Sequence, residues 1–314
     1  LAIESIYQSQ GRVDEYIDFA DKAGVIKDKS DGEKEAMYFN AAEQIFMTEN
    51  YNKALTSLMA YLERYPSGQK VPAAEFYVAE CYRNIGKKEQ ACDWYTKSLS
   101  RGSESSFAET AMLNFSRLSY ELQRYKDAYG GYSSLLEDAR IDNNRHTARV
   151  GMLRSAFKAG DWTSAISCAD RVREDSKSTA EEIREAEYSK AKSLLSMNER
   201  SAAYEIFAAL SAKPSTSEGA EAAYMIILDA YDQGKYDSVE KKVYAFAEKA
   251  GDQSYWLAKA FIVLGDSFAE QDNLQQAKAT FESVLNGYKP ASGKSDDVLD
   301  SVRMRLDKLK NMER

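Results

Sequence analysis

Apolar residues along the chain fall into short stripes with helical spacing. Ala54, Leu58 and Tyr61 stand at i, i+4 and i+7, as do Ala91, Tyr95 and Ser98, and Ala277, Phe281 and Val284. Residues so spaced share one face of an α-helix, so each stripe predicts an amphipathic helix with that face buried. A second stripe precedes them, for example Phe76, Ala79 and Tyr82, or Tyr224, Ile227, Leu228 and Tyr231. Polar or glycine-bearing breaks divide the two, as at Gly86, Gly160 and Gly234. Pro66, Pro214 and Pro290 follow second stripes, where proline ends a helix without a clash inside it. The pattern predicts an all-α chain of antiparallel helix pairs, about sixteen helices in all, with no sheet.

The second helix of each pair opens on a recurring signature: a bulky residue, two mostly polar residues and a small one. It reads Tyr51-Asn-Lys-Ala54, Lys88-Glu-Gln-Ala91, Tyr125-Lys-Asp-Ala128 and Trp162-Thr-Ser-Ala165, then Arg200-Ser-Ala-Ala203, Tyr236-Asp-Ser-Val239 and Leu274-Gln-Gln-Ala277. The small positions are spaced by 37, 37, 37, 38, 36 and 38 residues, and a weaker copy stands at Val13-Asp-Glu-Tyr16. A small residue at one point lets two helices cross closely, and the neighbouring aromatic fills the space beside the crossing. A two-helix unit of this size cannot bury its own apolar face. Stacking it on the next unit does, which gives a solenoid of local contacts.

These units resemble the tetratricopeptide repeat family, which has a small residue in its first helix, an aromatic soon after, Y-x-x-A opening the second helix and a late proline. Gly265, Phe268, Leu274, Ala277, Phe281, Val284 and Pro290 carry that pattern, and Ala79, Tyr82, Gly86, Ala91 and Tyr95 carry it again. The resemblance implies a right-handed α-solenoid. The period near 37 exceeds the family's usual value of about 34 and implies longer connections. Leu153 and Ile227 depart from the pattern, standing where the first helix should have a small residue. The stretch from Tyr51 through Tyr61-Leu-Glu-Arg-Tyr-Pro66-Ser is similar to units of bacterial envelope proteins, the outer-membrane assembly lipoprotein BamD and the Tol–Pal-associated repeat proteins. That likeness implies a periplasmic or outer-membrane-associated setting; a cytoplasmic one is the alternative.

Residues 1–290 are expected to form the solenoid, a partial first repeat plus seven. Leu1 falls inside the first helix of a pair, so the array begins in mid-unit and Ile3, Ile6 and Tyr7 should form a mobile or exposed edge. Residues 291–314 are expected to form an amphipathic capping helix, with Ser295 at its N-cap and Val298, Leu299, Val302, Leu306 and Leu309 on its buried stripe.

Composition narrows the function. Apolar residues are 44% and charged residues 29% of 314, a balance that folds. Small residues beside large flat ones, 42 Ala and 21 Tyr, suit closely packed helices. His146 is the single histidine, so paired-histidine catalysis and His-rich metal sites are excluded. Cys81, Cys92 and Cys168 form no CxxC and are expected to be small buried hydrophobes, with a Cys81–Cys92 disulfide as a minor alternative. A net charge of −8 argues against nucleic acid, and no apolar run reaches the ~18 residues of a membrane span. No glycine-rich phosphate loop is present, and Gly130-Gly131 falls inside a second helix. No cofactor or metal and no catalytic residue is expected.

What remains is a binding surface. The resemblance implies that first helices line the concave face, with the position eleven residues ahead of each small anchor facing the groove. That position holds Glu43, Glu80, Arg117, Arg154, Lys192, Leu228 and Asp266. Arg117, Arg154 and Lys192 form a three-step basic ladder in an acidic protein, the residue type that recognises anionic groups. Tyr120, Phe157, Tyr188, Tyr224 and Tyr231 on the same helices could anchor a peptide. The expected function is a non-enzymatic scaffold that binds a protein segment or docks a larger envelope complex. The alternative is a structural spacer or self-assembly segment of a longer repeat protein.

Overall fold

The computed structural model describes residues 6–7, 12–25, 30–101, 106–290 and 296–312. Among these it has sixteen α-helices and no strand. The helices fall into two compact units, Leu1–Asp161 and Trp162–Arg314. Unit 1 contains α1 (Val13–Lys22), α2 (Asp31–Met47), α3 (Tyr51–Arg64), α4 (Val71–Asn84), α5 (Lys88–Ser100), α6 (Ala108–Glu121), α7 (Tyr125–Asp138) and α8 (Asp142–Ala159). Unit 2 contains α9 (Trp162–Glu174), α10 (Ala180–Ser196), α11 (Arg200–Leu210), α12 (Ser217–Asp232), α13 (Tyr236–Ala247), α14 (Ser254–Glu270), α15 (Leu274–Gly287) and α16 (Val298–Met312).

The sequence signature sets where helices begin. Tyr51, Lys88, Tyr125, Trp162, Arg200, Tyr236 and Leu274 are each the first residue of a helix, as is Val13 of the weaker copy. The seven small anchors, from Ala54 to Ala277 and including Val239, are fully buried. In unit 1, α3, α5 and α7 each pack on the helix before and the helix after. A leucine in place of Ala128 adds three carbons at a fully buried position on a helix packed from both sides. A128L is expected to destabilise the protein by about 1–3 kcal/mol, checked by chemical denaturation; an unchanged midpoint would refute the crossing contact.

The turn between paired helices is also periodic, at a position the sequence marks in only three repeats. The residue five ahead of every small anchor has a positive φ: Glu49, Gly86, Gln123, Gly160, Asn198, Gly234 and Asp272, between 59° and 80°. The next N–H reaches back to close the helix end, as Lys87 N–H does to Tyr82 O and Arg124 N–H to Ser119 O. This closure needs a left-handed residue, which glycine supplies without strain. In four repeats glutamate, glutamine, asparagine or aspartate takes the same conformation, because helix packing on both sides fixes the turn.

The first-helix positions are more varied than the family pattern. Gly265 of α14 is small because the Phe281 ring lies on it: a Cβ there would stand 2.4 Å from Phe281 Cε1. Leu153 and Ile227 are buried at the same register. The three cysteines are free and buried, without a disulfide, and burial pushes the Cys81 thiol up to about 12.

At the end of unit 2, α16 packs on α15 and α14, and Val298, Val302, Leu306 and Leu309 are buried with the core of α12–α15. Ser295 lies outside the described residues. Within the described residues, the Asp296 carboxylate accepts from Val298 N–H at 3.1 Å. Of the expected N-terminal edge, Ile3 lies outside the described residues, Ile6 is exposed, and Tyr7 packs on Tyr16 with ring centroids 6.0 Å apart.

Candidate binding surface

In unit 1 the first helices carry a polar ladder that repeats from one pair to the next. Glu43, eleven residues ahead of its anchor, accepts a hydrogen bond from the Tyr77 hydroxyl of the next pair at 2.8 Å. Glu80, one repeat on, accepts from Asn114 Nδ2 at 2.7 Å and from the Tyr95 hydroxyl. Arg83 closes its outer side at 2.6 Å. Tyr77 and Asn114 occupy the same register, fourteen residues ahead of the following anchors. Burial, and then the charge of Glu80, push the Tyr95 phenol well above its usual range, so its proton stays in place as a donor.

The ladder breaks at the third step. The register there offers Arg117 in place of a glutamate and Gly151 in place of a donor side chain. A Cβ at Gly151 would stand 2.5 Å from Tyr132 Cε2, so the Tyr132 ring fills the room that Tyr77 and Asn114 use in the earlier steps. The Tyr132 residue is buried, and its hydroxyl has no hydrogen-bond partner among the described residues. Burial pushes this phenol up as well, while the charges of Arg117 and Arg154 pull it the other way. Arg117 and Arg154 are both exposed. Glu121, one turn on from Arg117, pairs with Lys88 at 2.8 Å. Tyr120, on the turn above Arg117, stacks edge-on against Tyr125 at 5.3 Å and stays half-buried, as does Phe157 above Arg154.

Unit 2 treats the same register differently. Lys192 is held by Glu221 at 2.8 Å, and the Tyr188 hydroxyl donates to that carboxylate at 2.7 Å. Lys192 and Tyr188 thus form a local tether between α10 and α12. Tyr224 packs on Trp256 at 5.4 Å and Tyr231 on Tyr236 at 5.8 Å. Asp266 is paired with Arg305 of α16 at 2.7 Å. Of the eight residues singled out from the sequence, Arg117, Arg154, Tyr120 and Phe157 lie in unit 1, and the four in unit 2 are engaged with their neighbours. Tyr132, absent from that selection, is the added member. Its register is a core position, and its ring packs on the glycine opposite.

Residues 255–289, which span α14 and α15, match the family model of the tetratricopeptide repeat. The same signature opens every second helix. Residues 255–289 are a tetratricopeptide repeat. A solved C-terminal part of a tetratricopeptide repeat protein from Cytophaga hutchinsonii shares 16% identity, over 84% of this chain and 98% of that one, with a TM-score of 0.52. A tetratricopeptide repeat protein from Parabacteroides merdae shares 16% identity, over 88% of this chain and 99% of that one, with a TM-score of 0.44. The first of these likenesses bears on the fold alone. No curated protein sequence matches the chain. Among the described residues no helix is long and apolar enough to cross a membrane, and no group of three metal-ligating side chains occurs.

Proposed function

We propose that the chain is a protein-interaction scaffold whose unit 1 holds an anionic group of a partner segment on its first-helix face. The break in the polar ladder supports this reading. Two steps satisfy their buried or half-buried acids internally, and the next two put the exposed guanidinium groups of Arg117 and Arg154 at that register. Guanidinium groups suit a carboxylate, either a C-terminus or an acidic side chain, because charge-assisted hydrogen bonds to carboxylates are the strong ones. Tyr120 and Phe157 supply apolar contact beside it.

The probe is a short peptide with a free C-terminal carboxylate, titrated into the whole chain and into R117E and R154E. Each reversal should abolish binding while unfolding stays within about 0.5 kcal/mol, since both residues are exposed. Binding by the unaltered chain should weaken as salt rises. An amidated peptide that binds as well as the free acid would refute the carboxylate assignment. The spacer or self-assembly alternative draws on Phe19 and Val25, which are 50% and 64% exposed. Association that rises with concentration and is lost in Phe19→Ser would favour it.

A further inference from the structure

The second-helix face of unit 1 carries a groove that the proposed anion surface does not use. It runs between α5 and α7 over α6, with a volume of about 480 Å³. Leu99, Met112 and Phe115 form its apolar floor, and Gly130 opens its wall. Gly130 and Gly131 stand in the middle of α7, where each lowers helix propensity by about 1 kcal/mol relative to alanine. Gly131 has a packing reason to be glycine, because a Cβ there would lie 2.4 Å from Ser116 Oγ and 2.9 Å from Phe115 Cδ1. Gly130 has none: a Cβ there would meet nothing within 4 Å. The same two register positions hold Asp93-Trp94, Glu205-Ile206 and Lys241-Lys242 in other repeats. The paired glycine in unit 1 leaves a trough where those repeats carry bulk.

The rim of the groove is acidic. Asp127 and Asp138 line it from α7, and both are exposed. Neither has an ion-pair partner among the described residues. They are eleven residues apart on one helix, a separation of roughly 16 Å. An extended segment covers that distance in about five residues. We infer that this groove is a second docking site, which takes a partner segment with a bulky apolar side chain over Gly130 and a basic residue at each end. The apolar floor supplies the contact area and the two carboxylates fix the register, so the site selects a basic–apolar–basic segment and repels an acidic one.

Met112 lies in the floor and serves as the reporter. The chain is labelled at its methionine methyl groups and titrated with the peptide acetyl-Lys-Ser-Leu-Phe-Ser-Lys-amide. The Met112 methyl resonance should shift saturably. The same peptide with glutamate at both ends should bind about tenfold more weakly or not at all. Gly130→Trp should fill the trough and abolish the shift. The exposed double variant Asp127→Lys/Asp138→Lys should weaken binding about tenfold with the helical signal intact; it decides the matter alone if Gly130→Trp loses structure. R117E should leave the shift unchanged, which separates this site from the anion surface. A Met112 signal that does not move, moves equally in Gly130→Trp, or moves equally with the glutamate-ended peptide overturns the proposal.

Discussion

Replacing Phe281 with alanine is expected to destabilise the protein by about 3–5 kcal/mol, the range for emptying a large aromatic site in a packed core. Phe281 is 1% exposed. Its ring lies against the bare backbone of Gly265, which no neighbouring helix can move in to replace, because α14 is held by α12 on one side and α16 on the other. Gly265→Ala alone should cost about 1–3 kcal/mol, by driving its methyl into the ring. The two changes act on the same space, so the double variant should cost less than their sum: once the ring is gone, the added methyl fills part of the hole. Urea denaturation of the four proteins measures this coupling. Strict additivity would show that the ring and the glycine do not meet.

Glu80→Ala should cost about 3 kcal/mol, because it leaves buried donors without an acceptor. Glu80 is 6% exposed and gathers Tyr95, Asn114 and Arg83 at one carboxylate. Tyr95 is fully buried, so its hydroxyl depends on that carboxylate as its acceptor. Two controls separate this from lost packing. Glu80→Gln keeps an acceptor oxygen and should cost clearly less. Tyr95→Phe in the Glu80→Ala background removes the orphaned hydroxyl and should recover part of the loss, even though Tyr95→Phe alone destabilises. Equal losses for Glu80→Ala and Glu80→Gln would mean that the carboxylate, rather than the acceptor, is what the fold requires.

The two residue pairs show how far the chain could be understood before its structure. Phe281 and Ala277 lie in a stripe whose period gives both the helix and its buried face, and every signature start coincides with a helix start. The polar ladder was harder to see. The position of Glu43, Glu80 and Arg117 was identifiable by register, but their partners are single polar residues, and one polar residue carries no periodicity. Arg117, Arg154 and Lys192 look alike in sequence. Their surroundings differ because Glu221 stands opposite Lys192, whereas Gly151 stands where a partner of Arg117 would be. The turn at Gln123 had no glycine to mark it, yet it adopts the same left-handed conformation as Gly86 and Gly160.

Sequence alone determined the all-α class, the period, the helix starts and the buried anchors. All of these follow from apolar spacing, since burial of a helix face depends on which residues recur every turn and every repeat. Tertiary structure decided which charges are neutralised, where Tyr132 places its hydroxyl and where Gly130 leaves a groove. Those features depend on side chains from different helices, some thirty residues apart, meeting at distances of about 3 Å. Loss of a single side chain, at Gly151 or at Gly130, changes what its neighbours can reach, and a pattern of spacing holds no record of that.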